Sequence, residues 1–176
     1  MRTFIALDLP TGFRDDVAAL ARQLKGAVEG RFLPLDSYHL TAAFLGEVDE
    51  REAAAAIDAL EAAAETAHPF ALRADGLGKF GRARDATLWM GIASDPTLMA
   101  FVYRLRDELA ARDVPFEERI FKPHITLARR AAIPRSALPT LAFPQPDQAR
   151  TVTFYRSILS NEGATYKPLH TVTLDD

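Results

Sequence analysis

The chain has 176 residues, of which 48% are hydrophobic and 26% are charged, and its formal net charge is −3. This composition is ordinary for a folded domain, and the mildly acidic charge disfavours a protein that coats nucleic acid, because such proteins carry a large basic excess. Any contact with nucleic acid should therefore be confined to an end or a single phosphate. The absence of cysteine excludes disulfides, thiolate nucleophiles and cysteine metal sites, and it fits a cytoplasmic location.

The N-terminal segment MRTFIALDLP is predicted to be the first strand. It is too short and, with Asp8, too acidic for a signal peptide. No apolar run in the chain approaches the ~20 residues that a membrane span requires. We therefore expect a protein without a leader or a membrane anchor.

Hydrophobic periodicity predicts an alternation of strands and helices along the whole chain. Asp49 and Glu52 form a capping-box signature, and Asp95 followed by Pro96 is typical of a helix start. The predicted helices begin near residues 11, 49 and 95 and end near residues 28, 67 and 109. The predicted strands or extended segments cover 2–9, 31–35, 39–45, 69–77, 86–93, 123–128, 152–159 and 166–174, with a glycine-containing loop over 78–82. This order predicts an α+β architecture with mostly antiparallel sheets, in which residues 1–176 form one domain of two similar lobes.

The most informative pattern is His-x-Thr-x, which occurs twice with a separation of 85 residues, as HLTA from His39 and as HITL from His124. A strand places alternate side chains on one face, so His39 and Thr41 should point the same way, and so should His124 and Thr126. The apolar residues between them should face a core. Two imidazoles, each with a hydroxyl beside it, suit acid/base chemistry on a phosphate, since one can accept a proton while the other donates one.

Such a site needs no metal. The threonine hydroxyls could hydrogen-bond the non-bridging phosphate oxygens, and an arginine could add a charge-assisted bond. A strained cyclic phosphodiester is a plausible target. Zinc would need three or four ligands, and no His/Asp/Glu cluster appears at ligand spacing.

Several other residues have two interpretations that the sequence leaves open. Basic residues gather near Arg82 and at Arg129-Arg130, where they could be solvated charge or phosphate contacts. Aromatic residues could stack on a base or pack in the core: Phe80, Trp89 and Tyr155. Three further predictions are structural: His68 as a surface residue, His170 as a strand residue, and Phe44 as a core residue.

The segments HLTAAFLG and KPHITLAR resemble the paired signatures of the two-histidine phosphoesterase superfamily. Within it, the sequence is most similar to the RNA 2′,3′-cyclic phosphodiesterase family, historically called 2′-5′ RNA ligase. The resemblance extends to RTFIALDLP near the start, LWMGI in the middle and FYRSILSNEGATYKPL near the end.

The resemblance implies a bilobal fold in which two antiparallel sheets form a V-shaped central cleft with helices outside. It also implies metal-independent hydrolysis of RNA 2′,3′-cyclic phosphate ends to 2′-phosphomonoesters, without a cofactor. Carried over, His39 would protonate the leaving 3′ oxygen, His124 would activate water, and Thr41, Thr126 and Arg129 would bind the phosphate. Strict alternation from His124 would turn Arg129 away, so it reaches the cleft only if the strand ends or bulges near Ala128.

Two alternatives remain at this point. The same site could join RNA ends through a 2′-5′ linkage from a cyclic end and a 5′-hydroxyl. A protein that binds RNA ends without turnover is a third possibility, which the intact histidines and threonines disfavour. We expect a monomer whose partner is RNA or a nucleotide with a 2′,3′-cyclic phosphate.

Overall fold

Strands and amphipathic helices follow one another along the chain in nearly the order that the periodicity predicts. The computed structural model describes residues 1–176. The helices are α1 (Thr11–Lys25), α2 (Glu50–Ala64) and α3 (Pro96–Ala111). The strands are β1 (Arg2–Leu7), β2 (Glu29–Phe32), β3 (Leu40–Glu47), β4 (Phe70–Leu72), β5 (Ala74–Arg82), β6 (Asp85–Ile92), β7 (His124–Ala132), β8 (Asp147–Ala149), β9 (Thr151–Ser160) and β10 (Gly163–Thr173).

The strands form two four-stranded sheets, which position the two motifs. The first sheet has the order β10-β9-β1-β3, and the second has the order β2-β7-β6-β5. Strands β4 and β8 form a small third sheet, and every strand pair is antiparallel. The predicted α+β, mostly antiparallel architecture is confirmed, and the first motif lies in one large sheet while the second lies in the other.

The helix starts agree with their capping signals. The Asp49 carboxylate accepts from the Glu52 amide while the Glu52 side chain accepts from the Asp49 amide, so the predicted capping box is present. The Asp95 carboxylate caps α3, which has proline at its first position. The ends of the first two helices were predicted too late, because α1 stops at Lys25 before Gly26 and α2 stops at Ala64.

The loop predicted over 78–82 is wrong, because these residues form the second half of β5. Gly78 pairs with Trp89 of β6, and the Trp89 indole lies where a β-carbon at position 78 would stand. Glycine is therefore present here because an aromatic ring covers the strand and not because the chain turns.

One continuous cluster of buried apolar side chains includes members from all three helices and from both large sheets. Helices α2 and α3 contact each other, and α3 also contacts β3. None of the helices combines the length and the apolar character that crossing a membrane requires. The V shape of the cleft stays a prediction.

Candidate active site

His39 stands immediately before β3, at the edge of the first sheet. Its Nδ1 lies 2.8 Å from the carbonyl oxygen of Ser37, and its Nε2 lies 3.0 Å from the hydroxyl oxygen of Thr41. Because a carbonyl only accepts, Nδ1 carries the proton, and the neutral ring keeps a lone pair on Nε2 to which the Thr41 hydroxyl donates. The Ser37 carbonyl, just before the motif, and the Thr41 hydroxyl, within it, thus orient the imidazole.

Aromatic rings surround His39. The Phe4 ring stacks on the imidazole at a centroid distance of 4.8 Å, and the Tyr166 ring meets it edge-on at 5.3 Å. Burial lowers the pKa of His39 to about 4, an effect that the Ser37 carbonyl and Asp8 oppose and that Arg129 and His124 reinforce. In the free protein at neutral pH, His39 is therefore uncharged.

His124 is the first residue of β7 in the second sheet, and its Nδ1 lies 2.6 Å from the carbonyl oxygen of Lys122. The contact repeats that of His39, so Nδ1 again carries the proton in the neutral ring and Nε2 is the basic atom. The rings of Phe80 and Trp89 lie at centroid distances of 5.1 and 5.6 Å from the imidazole. Burial lowers the pKa of His124, and the charges of Lys122 and Arg129 lower it further, against the Lys122 carbonyl.

A bulge in β7 decides where Arg129 points. In the pairing with β6, Leu88 lies opposite Ala128 while Trp89 lies opposite Thr126, so Leu127 is an extra residue. An extra residue reverses the alternation beyond it. Arg129 consequently lies on the same side as His124 and lines the same cavity. This is the outcome that the sequence made conditional on a bulge near Ala128.

These side chains meet in one cavity of about 580 Å³ between the two large sheets. It is lined by all five predicted site residues: His39, Thr41, His124, Thr126 and Arg129. A volume of this size accommodates a ligand as large as a nucleotide. The arrangement offers two imidazole nitrogens for proton transfer, with hydroxyls and a guanidinium as donors to an anion.

Phe44 was predicted to be a core residue, and that prediction is wrong. Register shifts between β1 and β3 interrupt the alternation of β3, and Phe44 lines the cavity with the Arg2 guanidinium 5.1 Å from the centre of its ring. Of the aromatic candidates, Phe80 also lines the cavity and is 44% exposed, while Trp89 is buried. Tyr155 donates a hydrogen bond to Asp8 and stacks on Phe4, so its ring lies behind His39.

The other two histidines lie outside the cavity. His68 is exposed and bonds the carbonyl oxygen of Asp175 through Nδ1, and His170 lies 2.6 Å from a carboxylate oxygen of Glu61. Both environments agree with the structural interpretation. The structure contains no group of three or more His, Asp or Glu side chains that could hold a metal ion.

Sequence reasoning missed one stretch of the cavity wall. The irregular segment 115–123 contributes residues to it: Glu117, Arg119, Ile120, Phe121 and Lys122. Lys122 occupies the position that Ser37 has before the first motif, since each supplies the carbonyl that orients a histidine. The equivalent positions two residues before each histidine were the signal from which the role of Lys122 could have been predicted.

The sequence and the fold both match known phosphoesterases. The family described as LigT-like phosphoesterase matches residues 7–89 and 91–166. The RNA 2′,3′-cyclic phosphodiesterase of Thermotoga maritima is 30% identical over 97% of this chain and 94% of its own. The solved structure of TT0787 of Thermus thermophilus superimposes with a TM-score of 0.84 at 26% identity, covering 99% of this chain and 98% of its own. That of Escherichia coli LigT complexed with 3′-AMP gives 0.82 at 30% identity, with the same coverage. The chain belongs to the LigT-like phosphoesterase family.

Proposed function

We propose that this chain hydrolyses the 2′,3′-cyclic phosphodiester end of RNA to a 2′-phosphomonoester by general acid/base catalysis. The observation that carries the proposal is the convergence of His39 and His124, from two different sheets, on one cavity that also holds two hydroxyls and a guanidinium. A relative that matches over nearly the whole chain has the name RNA 2′,3′-cyclic phosphodiesterase, which supports this substrate.

In the proposed reaction, the Nε2 atom of His124 takes a proton from a water molecule, whose oxygen attacks the phosphorus. The bond from phosphorus to the 3′ oxygen breaks, and protonated Nε2 of His39 gives its proton to that oxygen. The product carries the phosphate on the 2′ oxygen. Thr41, Thr126 and Arg129 hold the non-bridging oxygens, where negative charge develops as water adds.

The depressed pKa values fit this cycle when the substrate charge is included. Both imidazoles are neutral in the free protein, because burial lowers the pKa of each. A bound phosphodiester brings a negative charge that favours the imidazolium form of His39, which Asp8 also favours, whereas Lys122 and Arg129 oppose the charging of His124. His39 keeps its Nδ1–H bond to the Ser37 carbonyl in either state, and this bond stabilises the charged ring. Substrate binding therefore prepares the acid.

The proposal includes three further points. Residues 1–176 act as one two-lobed domain, because each large sheet supplies one histidine. The reaction uses no metal and no cofactor. The protein works in the cytoplasm as a monomer. Size-exclusion chromatography with light scattering tests the oligomeric state.

The experiment is incubation with the four nucleoside 2′,3′-cyclic phosphates, with and without EDTA, followed by identification of the product by phosphorus NMR. We expect the 2′-phosphate from each substrate at a rate that EDTA leaves unchanged. Formation of the 3′-phosphate would contradict the assignment of the leaving oxygen. Loss of activity in EDTA would contradict the metal-independent mechanism, and lack of turnover would contradict the proposal as a whole.

A further inference from the structure

Five exposed arginines gather at one end of the second sheet, beside the β5–β6 turn. We call them the arginine ridge: Arg31, Arg82, Arg84, Arg129 and Arg130. Arg31 of β2 lies directly opposite Arg129 of β7, so the two side chains share one face. The Arg130 Nε atom lies 3.3 Å from a carboxylate oxygen of Asp85. Asp85 is also the backbone partner of Arg82 where β5 and β6 meet at the turn. The ridge thus joins three strands and one turn.

Irregular backbone creates this grouping. Strand β7 bulges around Arg129 and Arg130 against both of its neighbours, and Arg130 has a φ of 53°. Gly30 allows β2 to follow the bulge, because a β-carbon there would stand 2.9 Å from the Cα atom of Ala131. A regular ladder would have sent consecutive arginines to opposite faces, whereas the bulged one leaves both exposed.

The charge of the ridge is strongly positive in a chain whose formal net charge is −3. The neighbouring acids are Asp85, which is paired with Arg130, and Glu29, at the start of β2. At the turn itself, Arg82 and Arg84 line a depression together with Gly81 and Asp85, without any apolar residue. Guanidinium groups whose positive charge is not balanced by nearby carboxylates are the usual phosphate contacts of nucleic-acid-binding proteins.

The ridge is continuous with the candidate active site. Arg129 belongs to both, and Phe80 and Thr87, near the same turn, also line the cavity. Because of its bulges, β7 from His124 to Ala131 runs alongside only the five-residue step from Gly91 to Ala86 of β6, which corresponds to roughly 17 Å. Several consecutive phosphates of a single strand can occupy such a distance. A strand whose terminal phosphate lies between the histidines meets the ridge when it leaves the cavity along β7.

We propose that the arginine ridge binds the backbone phosphates of the nucleotides that precede the cyclic end, so that the preferred substrate is an oligonucleotide and not a mononucleotide. This inference rests on the proposed function, because it takes the cyclic end to lie in the cavity. It specifies which part of the substrate the protein reads beyond that end. The contacts are to the backbone, so the ridge adds affinity for length and no preference for sequence.

The test compares adenosine 2′,3′-cyclic phosphate with a pentanucleotide that ends in a 2′,3′-cyclic phosphate, using wild type and an Arg82→Ala/Arg84→Ala variant. Both side chains are exposed and outside the cavity, so the fold should be unaffected. At low ionic strength we expect kcat/KM of the pentanucleotide to fall by about tenfold or more and that of the mononucleotide to stay within twofold. For the pentanucleotide, the slope of log kcat/KM against log salt concentration should become shallower by about 1.4, because two phosphate contacts at about 0.7 each are lost.

The matched control is Arg73→Ala/Arg150→Ala, which removes two exposed arginines away from the turn, Arg73 standing just before the opposite end of β5. It should leave both substrates unchanged. An unchanged pentanucleotide rate in the ridge variant, or equal losses for the two substrates, would overturn the inference. If wild type turns over neither substrate, the proposed function fails instead. Fluorescence anisotropy with the labelled pentanucleotide then decides the ridge separately, since its binding must weaken in the ridge variant and not in the control.

Discussion

His39 and His124 are held by the same local contact in different surroundings. Each ring donates from Nδ1 to the carbonyl two residues earlier, at 2.8 Å for His39 and 2.6 Å for His124. His39 is enclosed by the rings of Phe4 and Tyr166, and its Nε2 is bonded to Thr41. His124 has Phe80 and Trp89 beside it, and its nearest charges are cationic.

This difference shows how one motif can supply two unequal imidazoles. The carbonyl two residues before each histidine fixes the tautomer, and the sheet in which the motif lies decides the cost of charging the ring. Burial lowers the pKa of both histidines, to about 4 for His39. At His124 the cationic Lys122 and Arg129 are the charges that add to this effect. Two titratable groups in unlike environments are what an acid/base pair requires.

The largest effect should come from removing either imidazole. We expect His39→Ala and His124→Ala each to reduce kcat on a nucleoside 2′,3′-cyclic phosphate by roughly 10²–10⁴-fold, because each removes one proton transfer. The double variant should lose little more than the worse single variant, since the two groups act in one step. Steady-state kinetics of all three variants measure this.

His170→Ala is the control for this comparison, because His170 lies outside the cavity in contact with Glu61. Its activity should match wild type. Full activity in either His39→Ala or His124→Ala would show that the replaced imidazole has no part in catalysis.

The sequence predicted the regular parts of this comparison and not the irregular ones. Alternation placed Thr41 beside His39 and Thr126 beside His124, since period two is a property of any strand. Side-chain caps predicted the start of α2 at Asp49, because a capping box is encoded within four residues. These signals are local, so a single sequence carries them.

The bulges depend on how neighbouring strands pair, and no short segment encodes that pairing. The extra residue Leu127 turns Arg129 into the cavity, and register shifts in β3 place Phe44 there as well. The glycines near Gly78 were interpreted as a loop, because the sequence does not show that the Trp89 ring of the neighbouring strand covers Gly78. The sequence identified the two candidate histidines, while the pairing of neighbouring strands decided which further side chains line their cavity.

The next effect concerns stability against acid. The unfolded chain protonates His39 near an ordinary pKa of 6.5, but the folded protein does so only near 4, so the unfolded state binds more protons between these values. The folding free energy from this residue is fully present above pH 6.5 and is lost as the pH falls to 4. At pH 4.5 the loss should be roughly 2.5 kcal/mol relative to pH 7.5. Urea unfolding at both pH values measures it.

Carboxylates also weaken the fold in acid, so the comparison is made with His39→Gln. This variant should lose about 2.5 kcal/mol less than wild type between pH 7.5 and pH 4.5, because its side chain does not titrate. His124→Gln should give a smaller difference if His39 has the more costly environment. An equal loss of stability in wild type and His39→Gln would mean that burial does not oppose the charge on His39.

The smallest effect separates the two threonines. Thr41→Val and Thr126→Val keep the shape of the side chain and remove a hydroxyl that would bond a charged phosphate oxygen, an interaction of about 1.5 kcal/mol, so kcat/KM should fall about tenfold in each. Thr41 also donates to Nε2 of His39, so Thr41→Val should additionally change kcat, whereas Thr126→Val should act mainly on KM. Thr87→Val is the matched control, since Thr87 lines the same cavity from β6 and should stay within twofold of wild type. Identical kinetic changes in the Thr41 and Thr126 variants would show that the hydroxyl contact to His39 has no part in catalysis.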